Sequence, residues 1–129
     1  MKKSAITFGL ALLLFCQMAM AQVSRSQITT AIENREPVDS LQGDVAITAG
    51  ETKTLYLFSH MENLAGKQVI HRWFYKDREM ATVNLNIGSN NWRTYSSKRI
   101  LSTWQGPWKV QIWHQDLLLT EHTFNIVDL

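Results

Sequence analysis

Cysteine is almost absent from this 129-residue sequence, because Cys16 is the only one. It lies within an apolar N-terminal run that we expect to be removed, so the rest of the chain has no thiol. This absence excludes disulfide bonds and a cysteine nucleophile from the remaining chain. The stability of that chain must therefore come from packing.

An excess of positive charge is also missing once the N-terminus is set aside. The full sequence has 13 Lys or Arg residues and 11 Asp or Glu residues. Lys2 and Lys3 account for the difference, so the remaining chain is close to neutral. Nucleic-acid binding depends on a basic surface and an excess of positive charge. We therefore expect no nucleic-acid partner.

No apolar run in the sequence reaches the roughly 20 residues that a membrane-spanning helix needs. The run at residues 5–16 follows two lysines and precedes the small-residue box Ala-Met-Ala at 19–21. This order is typical of a cleavable secretory signal peptide, here residues 1–21. It predicts export to the periplasm or the extracellular space, and no transmembrane segment is expected in the mature chain.

The mature chain is expected to begin at residue 22 and to carry no lipid anchor. Exported lipoproteins are acylated on a cysteine that follows small residues, but the bulky Phe15 precedes Cys16. Residues 22–129 are close in number to the commonest domain size, so we expect them to form a single domain.

The mature chain is rich in alternating runs of β-branched and aromatic residues, which is the pattern of β-strands. Turn-like clusters separate these runs, whereas the segment 36–45 is expected to be a loop or a bridging segment. Seven short strands of this spacing predict an all-β, antiparallel β-sandwich of immunoglobulin-like or fibronectin-like architecture. The runs lie at residues 23–33, 52–61, 68–75, 79–87, 92–98, 108–114 and 117–127.

Alternation also predicts which side chains face the core. In the third run, His71 and Trp73 share one face and Arg72 lies on the other. Because an unpaired buried arginine is costly, we expect Arg72 to face solvent and Trp73 to lie in the core. In the sixth run, the same alternation places Trp108 in the core and Trp113 on the outside.

Three sequence blocks, HRWFY, NWRTYSSK and WQGPWKV, occur in this order and resemble a bacterial domain family known as domain of unknown function 2914. The resemblance implies an exported all-β domain, without established chemistry and without known catalytic residues. Asn91 departs from the family pattern, which favours arginine before the tryptophan, and this weakens an anion site built on that pair. The similarity extends over nearly the whole mature chain, at Arg25, Thr29, Glu36, Pro37, Phe58, Gly66, His71, Arg72, Trp73, Tyr75, Trp92, Arg93, Ser96, Ser97, Lys98, Trp104, Gly106, Trp108 and Phe124.

Catalytic, metal-binding and cofactor-binding residues are not indicated. The sequence has no G-x-S-x-G motif, and its four histidines lack the short spacing of structural zinc sites. His71 is expected to be a hydrogen-bonded core residue, while His114 and His122 flank a hairpin and could approach each other across it. We predict no enzymatic activity. The alternative is a small periplasmic hydrolase or metal-dependent enzyme that uses His60, His71 or the carboxylates at predicted turns.

A binding surface is indicated by residues 91–113, which hold four of the five tryptophans beside several cations. Exposed indoles can stack on sugar rings, and arginine can hold carboxylate or phosphate groups. This predicts a non-catalytic binding domain whose partner is a cell-envelope glycan or another envelope protein. In the alternative interpretation, the indoles close one end of the sandwich and the cations stack over them. A structural role without a ligand also stays open. The candidate binding residues are Arg72, Trp92, Arg93, Lys98, Arg99, Trp104 and Trp113.

Overall fold

The computed structural model of the protein describes residues 22–129, which form strands and connecting turns without a helix. The expected signal peptide, residues 1–21, lies outside the described residues. Within the described part, no helix has the length and apolar character to cross a membrane. The strands are β1 Gln22–Thr29, β2 Ile32–Glu33, β3 Glu36–Pro37, β4 Gly43–Ile47, β5 Thr52–Glu62, β6 Gln68–Tyr75, β7 Arg78–Asn86, β8 Asn91–Leu101, β9 Gly106–His114 and β10 Leu117–Asp128.

Two sheets form the expected sandwich. The small sheet has three strands in the order β1-β5-β8, and the large sheet has five in the order β4-β10-β9-β6-β7. Leu55 and Leu57 of the small sheet share one buried cluster with Val110 and Ile112 of the large sheet. The all-β, immunoglobulin-like prediction is confirmed, and each of the seven predicted runs contains a strand.

The segment 36–45 differs from the expected loop. It contains β3 and the first residues of β4, and β4 pairs with β10 in parallel, with Val45 opposite Ile126. The sandwich is therefore not wholly antiparallel. Sequence pattern missed β4 because only Val45 and Ile47 are buried in it, and two apolar residues do not make a distinct alternating run.

The first predicted run is interrupted where β1 ends. Asp39 accepts hydrogen bonds from the Thr29 hydroxyl at 2.6 Å, and from the backbone N–H and hydroxyl of Thr30 at 2.8 and 2.6 Å. Burial would raise the pKa of Asp39, but the hydrogen bonds from Thr29 and Thr30 outweigh it and hold this pKa below its usual value. These hydrogen bonds hold Asp39 beside the end of β1. The chain between them forms a two-stranded hairpin of β2 and β3, which we call the Glu36 hairpin.

The inward face of β6 carries the residues expected there. Trp73 and His71 are fully buried. The two ring nitrogens of His71 lie 3.0 Å from the Ser59 hydroxyl and 2.6 Å from the Ser96 hydroxyl, so this histidine joins β6 to both β5 and β8. The Trp73 indole N–H also donates to the Ser96 hydroxyl, at 3.0 Å. This polar cluster links the two sheets inside an otherwise apolar core.

Aromatic rings close the end of the sandwich where β6 ends and β9 begins. Trp108 stacks on Tyr75 and on Phe124, with ring centroids 5.0 and 6.0 Å apart. The Trp108 indole donates to the backbone carbonyl of Trp104 at 3.0 Å. Trp108 is therefore a core residue, as the alternation predicts.

Candidate functional site

A groove of about 460 Å³ runs along the first residues of β8, at the end opposite to the aromatic cluster. Five consecutive residues of β8 form one wall, because β8 is an edge strand of the small sheet. The Glu36 hairpin and the connection between β7 and β8 supply other parts of the lining. The lining residues are Arg35, Phe58, Asn86, Ser89, Asn91, Trp92, Arg93, Thr94 and Tyr95.

Two aromatic rings of the groove are open to solvent. Trp92 is 37% exposed and Tyr95 is 49% exposed. The Trp92 ring lies directly against Gly88, where an added Cβ would come within 2.7 Å of two ring atoms. Tyr95 is held by an edge-to-face contact with Tyr56, with ring centroids 5.8 Å apart. The groove thus presents two supported aromatic surfaces.

Replacing Gly88 with alanine should displace the Trp92 ring, because a methyl group and the ring cannot occupy the same space. We expect Gly88→Ala to lower the free energy of unfolding by about 1 kcal/mol, the lower end of the range for overpacking. Acrylamide quenching of the total tryptophan fluorescence should increase, because the displaced Trp92 ring becomes more accessible. The same substitution in a Trp92→Ala background is the control and should have neither effect. Unchanged stability and quenching in the single variant would mean that Trp92 does not rest on Gly88.

Glu36 fixes the hairpin across the outer face of the small sheet. Arg25 donates two hydrogen bonds to its carboxylate, at 2.8 and 2.7 Å, and Arg93 donates one at 3.1 Å. Hydrogen bonds from Arg25 and then from Arg93 lower the pKa of Glu36, so it is ionised at neutral pH. The Arg25 guanidinium also lies over the Phe58 ring, 4.9 Å from its centroid. These contacts hold the hairpin beside β8.

Arg35 extends from this hairpin into the lining of the groove. It forms the hairpin turn with Asn34, and both residues have positive φ angles, 50° for Asn34 and 63° for Arg35. A two-residue hairpin turn of this kind requires positive φ at both central positions. Within residues 22–129, the Arg35 side chain has no hydrogen-bond or ion-pair partner. Its guanidinium is therefore available to a ligand.

Amide and hydroxyl groups complete the groove. The Asn91 side-chain oxygen contacts the His60 ring, and the Ser89 hydroxyl donates to the Asn91 carbonyl at 2.8 Å. Asn86 accepts a hydrogen bond from Gln68 at 2.8 Å. Asn91 therefore contributes an amide where the family pattern favours arginine, and the cations of the groove come from Arg35 and Arg93.

The other predicted binding residues lie elsewhere. Arg72 and Trp113 lie together on the outer face of the large sheet, where the guanidinium is 5.2 Å from the ring centroid. Trp113 is half-buried there, and its indole donates to Gln111 at 2.8 Å. The outward direction of Trp113 agrees with the alternation, but the Arg72 guanidinium lies over the ring.

Lys98 and Trp104 form a second separate pair, with the ammonium 5.4 Å from the ring centroid. Trp104 packs on the aromatic cluster, as in the interpretation in which indoles close one end of the sandwich. Arg99 is exposed on β8 but does not line the groove. Of the seven predicted residues, the groove therefore contains Trp92 and Arg93.

Sequence reasoning missed Arg35 and Tyr95 as groove residues. Arg35 lies in the sequence cluster NREP at residues 34–37, which predicts a simple turn, and the contacts of Glu36 with Arg25 and Arg93 bring this turn to β8. Tyr95 could have been found, because it lies two residues after Arg93 and strand alternation places both on the same face.

The histidines considered for chemistry have separate partners. His71 is enclosed by Ser59 and Ser96 in the core. His122 lies 2.6 Å from the Ser26 hydroxyl, whereas His114 lies 3.2 Å from the Gln68 carbonyl. Within residues 22–129, no three or more His, Cys, Asp or Glu side chains are grouped as metal ligands.

Two of the turn carboxylates, Asp77 and Glu79, are likewise paired with neighbouring cations. Asp77 lies 3.2 Å from the Lys109 ammonium, and Glu79 lies 3.9 Å from Arg72. Asp77 and Lys109 also border a second groove, of about 450 Å³, on the large sheet. That groove has no exposed aromatic ring comparable to Trp92.

The fold is that of an immunoglobulin-like domain. An immunoglobulin-like protein from Pseudomonas aeruginosa has a similar structure, with a TM-score of 0.57, and the alignment covers 84% of this chain and 97% of that one. The two sequences are 8% identical, so the similarity concerns the fold alone.

The family resemblance is confirmed over part of the chain. The family described as "Protein of unknown function (DUF2914)" matches residues 66–126, just under half of the sequence. This range includes Trp92, Arg93 and Tyr95, whereas Arg35 precedes it. No curated protein matches the chain. An immunoglobulin-like fold and a family of unknown function are consistent with a non-catalytic domain.

Proposed function

We propose that this protein is an exported, non-catalytic binding domain whose groove along β8 binds a cell-envelope glycan. The observation that carries the proposal is the pair of exposed rings, Trp92 and Tyr95, in a groove that also contains Arg35 and Arg93. Export is supported by the signal-peptide pattern of residues 1–21. The intact mass of the secreted chain checks it, because cleavage after residue 21 leaves Gln22 at the N-terminus.

The size and the lining of the groove support a sugar as its ligand. Its volume of about 460 Å³ is in the usual range for small-ligand sites, about 300 to 1,000 Å³. The apolar face of a pyranose ring can stack on Trp92 or Tyr95. Sugar hydroxyls need fixed donors and acceptors at the ring edge, and Asn86, Asn91 and Ser89 provide amides and a hydroxyl there.

Replacing Trp92 with alanine should weaken glycan binding by about tenfold, or ~1.4 kcal/mol, because the stacking surface is lost. Isothermal titration calorimetry with soluble oligosaccharides released from the cell envelope measures this effect. Trp113→Ala is the matched control, since it removes an indole from the large sheet and leaves the groove intact.

We expect Trp113→Ala to bind as the unaltered protein does. Loss of binding in Trp113→Ala, with Trp92→Ala unaffected, would place the ligand on the large sheet instead. If the unaltered protein binds none of the envelope oligosaccharides, the glycan proposal is wrong.

A second candidate partner is an extended segment of another envelope protein. β8 pairs only with β5 among the described strands, so one edge of this 11-residue strand borders the groove without a neighbouring strand. An extended peptide could add to that edge through backbone hydrogen bonds. Such binding depends little on the Trp92 ring, so capture of a peptide with equal affinity by Trp92→Ala would favour this candidate over the glycan.

A further inference from the structure

We infer that the ligand of the groove is an acidic glycan whose carboxylate binds Arg35. This inference rests on the glycan-binding function proposed above and specifies the class of sugar. Its first support is the charge of the lining. Of the nine described residues that line the groove, two are arginines and none is acidic. An anionic ligand would gain charge-assisted hydrogen bonds from these arginines that a neutral ligand would lack.

The two arginines of the groove differ in their partners. Arg93 shares the carboxylate of Glu36 with Arg25, so one negative charge already lies beside that pair of cations. Arg35 has no such partner within residues 22–129. Arg35 therefore carries a positive charge in the groove that no carboxylate among the described residues pairs with, whereas one negative charge already lies beside Arg93. Residues 22–129 as a whole have a net charge close to zero.

The hairpin that carries Arg35 is fixed at both ends before a ligand arrives. Glu36, the next residue, is hydrogen-bonded to Arg25 and Arg93. On the other side of the hairpin, Asp39 is bonded to the end of β1. Because the hairpin backbone is already fixed, less conformational entropy is lost when Arg35 binds than if this turn were part of a mobile loop. The planar guanidinium fork of Arg35 matches the two oxygens of a carboxylate.

The rings and the guanidinium line one groove, so a single sugar unit can use both. The pyranose ring would stack on Trp92 while a carboxylate on the same or the adjacent ring would accept hydrogen bonds from Arg35. Arginine binds phosphate as well as carboxylate. The lining alone favours an anion. Competition by inorganic phosphate and by acetate distinguishes a phosphate ligand from a carboxylate ligand.

The test compares trigalacturonic acid with its methyl ester, which keeps the sugar rings and removes the charges. Titration calorimetry on the complete mature chain at low ionic strength measures both affinities. We expect the acid to bind at least tenfold more tightly than the ester. Arg35→Gln should reduce the affinity for the acid to that of the ester and leave the affinity for the ester unchanged. Arg99→Gln, which removes the same charge from β8 outside the groove, should preserve the preference for the acid.

Three results would overturn the inference. Equal binding of the acid and the ester by the unaltered protein would show that the carboxylate is not recognised. The proposed glycan-binding function would still be supported by that result. No binding of either trisaccharide would reject this acidic sugar class, whereas the wider proposal is decided by the envelope oligosaccharides. Displacement of the bound acid by inorganic phosphate but not by acetate, at equal concentrations, would identify a phosphate site. Equal melting temperatures of both variants and the unaltered protein ensure that lost affinity does not reflect unfolding.

Discussion

Replacing Trp73 with alanine is expected to lower the free energy of unfolding by about 3 to 5 kcal/mol. Trp73 has no exposed surface and lies in the core cluster between the two sheets. Alanine would remove most of its buried apolar area and leave a cavity that the neighbouring strands cannot fill completely. The substitution would also remove the hydrogen bond from the indole to the Ser96 hydroxyl. A loss of this size is a large fraction of the stability of a typical domain.

Denaturant unfolding followed by far-UV circular dichroism measures this loss, and Trp113→Ala provides the comparison. Trp113 is the same residue type, but it is half-buried on the outer face of the large sheet. Trp113→Ala should lower the free energy of unfolding clearly less than Trp73→Ala does. A negligible loss in Trp73→Ala would contradict the inward orientation of this residue on β6.

Acidification below about pH 6.5 is expected to destabilise the fold through His71. Burial, and then the nearby His122, lower the pKa of His71 to about 3. In the unfolded chain the same ring takes up a proton near pH 6.5. Between these two pH values the unfolded state binds a proton that the folded state does not. Stability is therefore complete above about pH 6.5 and decreases as the pH falls towards 3.

One buried histidine should lower the free energy of unfolding by about 1.4 kcal/mol for each pH unit of acidification in this range. Burial also lowers the pKa of His122, so it contributes in the same direction. The carboxyl groups with lowered pKa values affect the stability of the fold at lower pH than the histidines do. Asp39 and Glu36 stabilise the fold when ionised, and their contribution is complete above their unfolded pKa values and is lost as the pH falls from there through their lowered folded pKa values. The interval between about pH 6.5 and 5.5, which lies above the unfolded pKa values of both carboxyl groups, therefore isolates the histidines.

Urea unfolding at several pH values in this interval measures the slope. The variant His71→Gln cannot take up the proton, so most of the pH dependence should disappear, although its stability at neutral pH will differ. His122→Gln should remove a smaller part. If His71→Gln retains the full slope of the unaltered protein, the pH dependence does not arise from His71.

Much of the strand layout could be predicted because it depends on local pattern. The sequence predicts β6 with its observed bounds, since residues 68–75 are a run of apolar and aromatic residues in which only the solvent-facing side tolerates Arg72. The burial of Trp73 follows from the same period of two residues. β4 could not be predicted in this way, because Val45 and Ile47 are recognised as strand residues only when β10 pairs with them.

The candidate site was less predictable, because contacts between distant residues create it. The salt bridge from Arg93 to Glu36 joins residues that are 57 positions apart. It brings a turn that looks ordinary in the sequence to the edge of β8, and Arg35 enters the groove with it. Conversely, Arg72 and Lys98 look like binding cations in the sequence, but each lies over an indole outside the groove.

The sequence by itself determined the all-β class, the inward faces of β6 and β9, and the near neutrality of the chain after residue 21. These properties follow from composition and from an alternation that each strand carries within itself. Only the tertiary structure decided which of the tryptophans could meet a ligand. Exposure is set by what packs over a side chain: Arg72 covers Trp113, the aromatic cluster holds Trp104, and Trp92 rests on Gly88 with part of its ring open to solvent.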